Sequence, residues 1–159
     1  MEAQRIHLFD RLAVRSLALG LILLLGGCSL PKVVVLNDPL TAAEHNDLGY
    51  AYERQGLYDL AAKEYAKAAQ KDRNWAMPRF NLGNLAYRQG DLKGAEKHYR
   101  AALRCENNNA DVMNNLANVL ADQGRRPESL DMIKRALAIE RKPAYLDTYQ
   151  RIMKPSPLP

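Results

Sequence analysis

Aromatic residues are scarce in this chain: 7% of 159 residues, with two Phe and one Trp. A core poor in rings and rich in Ala and Leu favours helix over sheet, although hydrophobic residues still reach 47%. Histidine is nearly as rare. His7, His45 and His98 are the full set, and none has a ligand partner at the helical spacing a zinc site needs. His45 and His98 read as packing or surface residues. Cysteine is confined to Cys28 and Cys105, and no base that the sequence identifies accompanies Cys105. The glycines do not form a phosphate-cradling loop. These absences leave no catalytic constellation, no metal site, no cofactor and no small-molecule substrate to propose. The formal charge of +5 is small, and basic and acidic residues alternate along the chain. With no basic stripe interleaved with stacking aromatics, a nucleic-acid partner is not expected.

What is present begins with an address. Arg5, Arg11 and Arg15 precede the run Leu17–Leu25, LALGLILLL, and sixteen uncharged residues separate Arg15 from Lys32. A spanning helix wants about 20 apolar residues, so the run suits the hydrophobic region of a signal peptide over residues 1–27. Leu25-Gly26-Gly27-Cys28 resembles the bacterial lipobox. That resemblance implies diacylglycerol on Cys28, cleavage before it and acylation of the new N-terminus. Each buried methylene adds about 0.8 kcal/mol, so two or three chains hold a protein on a membrane. The resemblance also implies the bacterial cell envelope as location, and Ser29 after the cysteine implies the outer membrane, facing the periplasm. The alternative is an uncleaved signal anchor with Cys28 as a bystander. Cys105 is then the remaining thiol, either buried and inert or reactive.

Residues 28–40 read as a linker, in which Pro31 and Pro39 bracket Val33–Leu36. That apolar run is an extended spacer or a strand offered to a partner's sheet edge. Thr41-Ala42-Ala43-Glu44 matches a capping box, so folded structure is expected from residue 41.

The remainder repeats itself every 34 residues. Leu48-Gly49, Leu82-Gly83 and Leu116-Ala117 mark the period, as do Gly56, Gly90 and Gly124, and Ala68, Ala102 and Ala136. Ala61 and Ala95 continue as Ser129, and Tyr65 and Tyr99 as Ile133. Period and pattern over residues 42–143 closely resemble the tetratricopeptide repeat (TPR) family. The expected fold is all-α: a solenoid of three helical hairpins at 42–75, 76–109 and 110–143, inside a domain of 41–154. Helices are expected at 42–55, 58–70, 76–89, 92–104, 110–123 and 127–140. Small residues at repeat position 8 allow close helix approach, and glycine at position 15 ends the first helix of each hairpin. Pro127 fits the first turn of its helix. Consensus tryptophan gives way to His45, Arg79 and Met113, and consensus proline to Arg73, Asn107 and Arg141, so the loops between repeats are expected to be less pinned. Residues 144–153 read as a capping helix laying Tyr145, Leu146, Tyr149 and Ile152 on repeat three, or as half of a fourth repeat. Residues 155–159 are expected to be a disordered tail.

The family resemblance implies a concave groove lined by the first helix of each hairpin. Carried over by position, it contains Asn46, Tyr50, Arg54, Met77, Phe80, Asn84, Tyr87, Arg88, Asn114 and Asn118, with Ala43, Glu53, Asp111, Ala121 and Asp122 completing the floor. Asn84 and Asn118 occupy the position where family members hold a peptide main chain, and an amide offers both donor and acceptor. Tyr50, Met77, Phe80 and Tyr87 add an adaptable apolar surface. Lysines that grip a C-terminal carboxylate in some relatives are replaced by Asn46, Asp111 and Asn114, so no preference for acidic C-termini is expected. The partner is thus a protein, met as an extended peptide or helix, with the membrane engaged through the lipid anchor. The role is a tethered periplasmic adaptor for envelope assembly of the pilus, secretion or outer-membrane type. The alternative is an accessory that presents substrate to an envelope cysteine peptidase, because Asp38–Gly56 looks like the opening of TPR regions found with such enzymes. A helper in polysaccharide export is a third possibility.

Overall fold

A computed structural model describes residues 38–154. The expected signal peptide 1–27, Cys28, nearly all of the expected linker and residues 155–159 lie outside the described residues. Seven helices follow in order: α1 (Ala42–Arg54), α2 (Tyr58–Lys71), α3 (Ala76–Arg88), α4 (Leu92–Cys105), α5 (Ala110–Asp122), α6 (Arg126–Ile139) and α7 (Pro143–Met153). Among the described residues there is no strand. Consecutive helices pair as α1/α2, α3/α4 and α5/α6, each hairpin then stacks on the next, and α7 closes the array against α6 and α5. This is the all-α TPR solenoid that the period implies, three hairpins and a closing helix.

Local chemistry starts and stops these helices. The Thr41 hydroxyl accepts from the Glu44 N–H at 3.2 Å, and the Glu44 carboxylate accepts from the Thr41 N–H at 2.7 Å, so the capping box is complete. Asp91 and Asn109 cap α4 and α5 through the amides of Gly94 and Val112. The hairpin turn is built the same way three times. Gly56, Gly90 and Gly124 all hold φ between 75° and 78°. The next residue's N–H, from Leu57, Asp91 or Arg125, donates back to Tyr52, Ala86 or Leu120 at 2.8–3.0 Å. A side chain at those three positions would strain the left-handed turn.

Packing within each hairpin is a bump in a hollow. Tyr65 and Tyr99 are fully buried, and their rings lie on Gly49 and Gly83 with no room for another carbon: a Cβ at Gly49 would meet Tyr65 Cδ1 at 2.7 Å. In the third hairpin the knob shrinks to Ile133 and the hollow fills to Ala117, both fully buried in one cluster. The volume is conserved while its partition changes. Helix α5 runs through the middle of the array and buries Val112, Met113, Leu116, Ala117, Val119 and Leu120.

Two expectations change. Helix α7 lays Tyr145, Tyr149 and Ile152 inward as expected, but Thr148 is buried with them in place of Leu146, which is 41% exposed. At about 100° per residue, Leu146 stands well outside the arc shared by residues 145, 148, 149 and 152. Burial of Thr148 is possible because its hydroxyl donates to the Ala144 carbonyl at 3.0 Å. The turn between repeats one and two is also tied down. Arg79, at the tryptophan position, donates to the carbonyls of Trp75 at 2.8 Å and Ala69 at 3.2 Å, joining α3 to the last turn of α2.

Candidate functional site

The first helices of the three hairpins, α1, α3 and α5, present their facing side chains to one another along one side of the array. Bonds between residues about one repeat apart run along that side. The Asn81 amide donates to Asn46 at 3.0 Å, Arg88 donates to Glu53 at 2.9 Å, and Tyr87 donates to Asp122 at 2.6 Å. Helix α7 continues the series: Arg151 donates to Asn118 and Asp122, and Lys142 and the Tyr145 hydroxyl donate to Asp111. An open cavity of about 390 Å³ lies on this side, lined by Glu53, Asn84, Tyr87, Arg88, Tyr99, Asn115 and Asn118. A smaller hollow of about 120 Å³ lies near the start of α3 and α5, walled by Trp75, Met77, Phe80, Asn109 and Asp111 among others.

The floor of the larger cavity is reached from the core. Tyr65 and Tyr99 belong to the second helices α2 and α4, yet their hydroxyls extend to groove residues, donating to Glu53 at 2.8 Å and Asn84 at 2.7 Å. Burial, joined for Tyr65 by the Glu53 carboxylate, pushes both phenols far above their usual range, so they remain donors. Burial and Asp122 raise the Tyr87 phenol likewise. Hydrogen bonds from Tyr145 and Lys142 hold the Asp111 carboxyl below its ordinary range, keeping an anion at the edge of the smaller hollow.

Of the residues expected in the groove, Asn84, Tyr87, Arg88 and Asn118 meet in the larger cavity, and Met77 and Phe80 meet in the smaller one. Asn46, Tyr50 and Arg54 line neither. Tyr50 stands 55% exposed, and Arg54 is exposed beyond it. Phe80 is half-buried against the Tyr99 ring, with centroids 5.9 Å apart. Asn114 needs correction as a surface contact. It is only 9% exposed, and its amide donates to Asn115 at 3.2 Å, because α5 is enclosed on most sides. Sequence reasoning missed Tyr99 and Asn115. Asparagine recurs one period apart at 81 and 115, a signal that was there to be read.

The amides are also less versatile than expected. The Asn84 oxygen accepts from both the Tyr99 hydroxyl and the Asn115 amide, and the Asn118 oxygen accepts from Arg151. The Asn84 oxygen is saturated and the Asn118 oxygen half engaged, so the donor ends are the main part left for a partner. The nearby cations are similarly engaged: Arg88 with Glu53 and the ring and hydroxyl of Tyr58, Arg151 with Asp122. Among the described residues no cluster of three or more His, Cys, Asp or Glu is arranged to hold a metal ion. Cys105 is half-buried, its thiol turned to the carbonyls of Arg73 and Ala101.

Comparison with known proteins gives a consistent picture. Two tetratricopeptide repeat family models match residues 33–78 and 86–152. An uncharacterized protein of Haemophilus influenzae is 25% identical over 118 residues, which cover 74% of this chain and 66% of the relative's length. Among solved structures, the first TPR of Spaghetti (RPAP3), bound to the HSP90 peptide SRMEEVD, aligns with a TM-score of 0.68 at 19% identity, covering 72% of this chain and 92% of that one. The second TPR domain of human RPAP3, in complex with the HSP70 peptide SGPTIEEVD, aligns with a TM-score of 0.68 at 17% identity, covering 72% and 96%. The N-terminal domain of stress-induced protein-1 from C. elegans gives 0.64 at 18% identity, covering 71% and 94%. At such identities the likeness concerns the fold.

Proposed function

This chain belongs to the tetratricopeptide repeat family, and from that premise we propose that it is a membrane-tethered adaptor whose groove receives an extended segment or helix of a partner protein in the bacterial envelope. The observation that carries this reading is the cavity crossing α1, α3 and α5, where Asn84 and Asn118 keep their amide donors while their oxygens are bonded internally. Donors set one repeat apart suit the carbonyls of a main chain and place little demand on its side chains. Tyr87 in the cavity, Met77 in the smaller hollow and Tyr50 on α1 stand 36%, 46% and 55% exposed and supply apolar contact. Two of the similar structures hold peptides that end in Asp. Here the corresponding lysines are absent, Asp111 is an anion and Arg88 and Arg151 are already paired. The segment received is therefore internal to its protein rather than a C-terminal carboxylate. Lipid on Cys28 would keep the adaptor at the outer membrane, and its task would be assembly rather than catalysis.

The test is photo-crosslinking in cells with an intact envelope. A photoreactive residue replaces Met77 or Tyr50 in the full-length protein, and Leu146 on the far side of α7 serves as the control. A discrete protein adduct from positions 77 and 50, absent from 146, supports the groove; adducts that do not depend on position refute it. Mass spectrometry of the N-terminus, beside a Cys28→Ala variant, tests the tether. A chain that retains residues 1–27 without acylation removes that part of the proposal.

A further inference from the structure

The charges that alternate along the sequence separate in space. Helices α2, α4 and α6 carry five more cations than anions, whereas α1, α3, α5 and α7 carry two more anions than cations. The excess is greatest on α4, where Lys93, Lys97, Arg100 and Arg104 oppose Glu96 alone. Their spacing of four, three and four residues confines them to an arc of roughly 60°. The buried residues Ala95, Tyr99 and Ala102 lie on the opposite side of the helix. Lys93, Lys97 and Arg104 are exposed, while Arg100 is held by Glu96 at 2.8 Å. Lys63 on α2 and Lys134 on α6 are also exposed, but each shares its stripe with an exposed carboxylate, Asp59 and Asp131, so the cationic excess is centred on α4. At the start of α2, Leu57 and Leu60 stand 44% and 40% exposed, beside Asp59 and Gln89.

We infer that the face made by α2, α4 and α6 docks on an anionic lipid surface, with headgroup phosphates against Lys93, Lys97 and Arg104 and the two leucines at the headgroup boundary. A rigid cationic stripe gains from a planar array of phosphates, because each basic side chain near an anionic bilayer adds to the attraction. Exposed leucines on α2 suit a lipid interface and have no use against a phosphodiester backbone. Single-stranded nucleic acid wants stacking rings in a groove. The tyrosines of these helices are withdrawn from the face: Tyr65 and Tyr99 are buried, and Tyr58 lies under the Arg88 guanidinium. Docking this way leaves the side of α1, α3 and α5 open to a partner, but the inference does not rest on what the groove binds.

The experiment compares the full-length chain on phosphatidylcholine vesicles with and without phosphatidylglycerol, by co-sedimentation at low and high salt. Any contribution from residues 1–37 is common to all variants. The wild-type chain is expected to prefer the anionic vesicles, and the triple variant Lys93→Glu, Lys97→Glu, Arg104→Glu to lose on the order of tenfold or more of that preference. Lys93→Gln, Lys97→Gln, Arg104→Gln is expected to fall between the two. Arg54→Glu, on the other side of the array, should change it less than about twofold. Circular dichroism confirms that each variant remains helical. A preference insensitive to the triple reversal, or to salt, overturns the inference. So does tighter binding to a single-stranded oligonucleotide than to the anionic vesicles, which would give the face to nucleic acid.

Discussion

Gly83 lies directly beneath the ring of Tyr99, and a Cβ built on it would meet Cδ1 and Cε1 at 2.5 Å. In an open helix, alanine in place of glycine gains about 1 kcal/mol. At this site the added methyl has to displace a fully buried ring whose hydroxyl is fixed to Asn84 at 2.7 Å. Overpacking of this kind costs about 1–3 kcal/mol. Gly83→Ala is therefore expected to lower stability, and a urea titration showing a raised midpoint would contradict the packing described.

Removing only the hydroxyl asks a different question. Tyr99→Phe keeps the ring on Gly83 and takes one of two donors from the Asn84 oxygen. The expected loss is about 0.5–1.5 kcal/mol by denaturant unfolding. Binding of the groove partner is expected to weaken as well, since the Asn84 amide is then less firmly aimed. A variant that binds as well as wild type would show that Asn115 alone suffices to hold it.

The inward face of α7 can be read by a pair of substitutions. Tyr145 is 1% exposed and Leu146 is 41% exposed. Tyr145→Ala is expected to cost about 3–5 kcal/mol, as truncation of a buried aromatic does, and Leu146→Ala to stay within about 0.5 kcal/mol. Equal losses would mean that the helix is rotated from the position found here.

Glu96 links the second and third hairpins by accepting from Arg100 at 2.8 Å and Arg125 at 2.6 Å. Burial alone would raise its pKa, but the hydrogen bonds from those two arginines outweigh it and hold the carboxyl below its ordinary 4.5. A depressed folded-state value means that the contribution is complete above about 4.5 and is lost as pH falls through the lower folded value. Glu96→Gln is thus expected to cost on the order of 0.5–1 kcal/mol at neutral pH, solvent screening included. The two unfolding curves should converge as the pH falls through the lowered folded-state value, and a difference that widens on acidification would reverse the assignment.

Much of this was legible in the residues, for identifiable reasons. The 34-residue period, the three turn glycines and the box at Thr41 are local or periodic signals, and the backbone obeys them. The pairing of Gly49 and Gly83 with tyrosine, and of Ala117 with isoleucine, was present as correlated size. What could not be read lies between elements. Whether Leu146 or Thr148 turns inward depends on how α7 meets α5 and α6, because both fit a helical stripe. Asn114 looks like Asn118 in sequence but is enclosed by the packing of α5. Most of all, the separation of charge was hidden. Acids and bases alternate along the chain, and only grouping the first and second helices in space brings out the net cationic excess of the second.

The bonds that run one repeat apart, from Asn81 to Asn46, Arg88 to Glu53 and Tyr87 to Asp122, have a mechanical meaning. They lace the side of the array that carries α1, α3 and α5, while Arg79 with Ala69 and Arg125 with Glu96 tie its other joints. Opening that side must stretch those laces, whereas closing it leaves them intact, so they resist one sense of bending. A guest that breaks no lace meets a spring already at its working pitch. One that takes Glu53 or Asp122 for itself loosens the array at that joint.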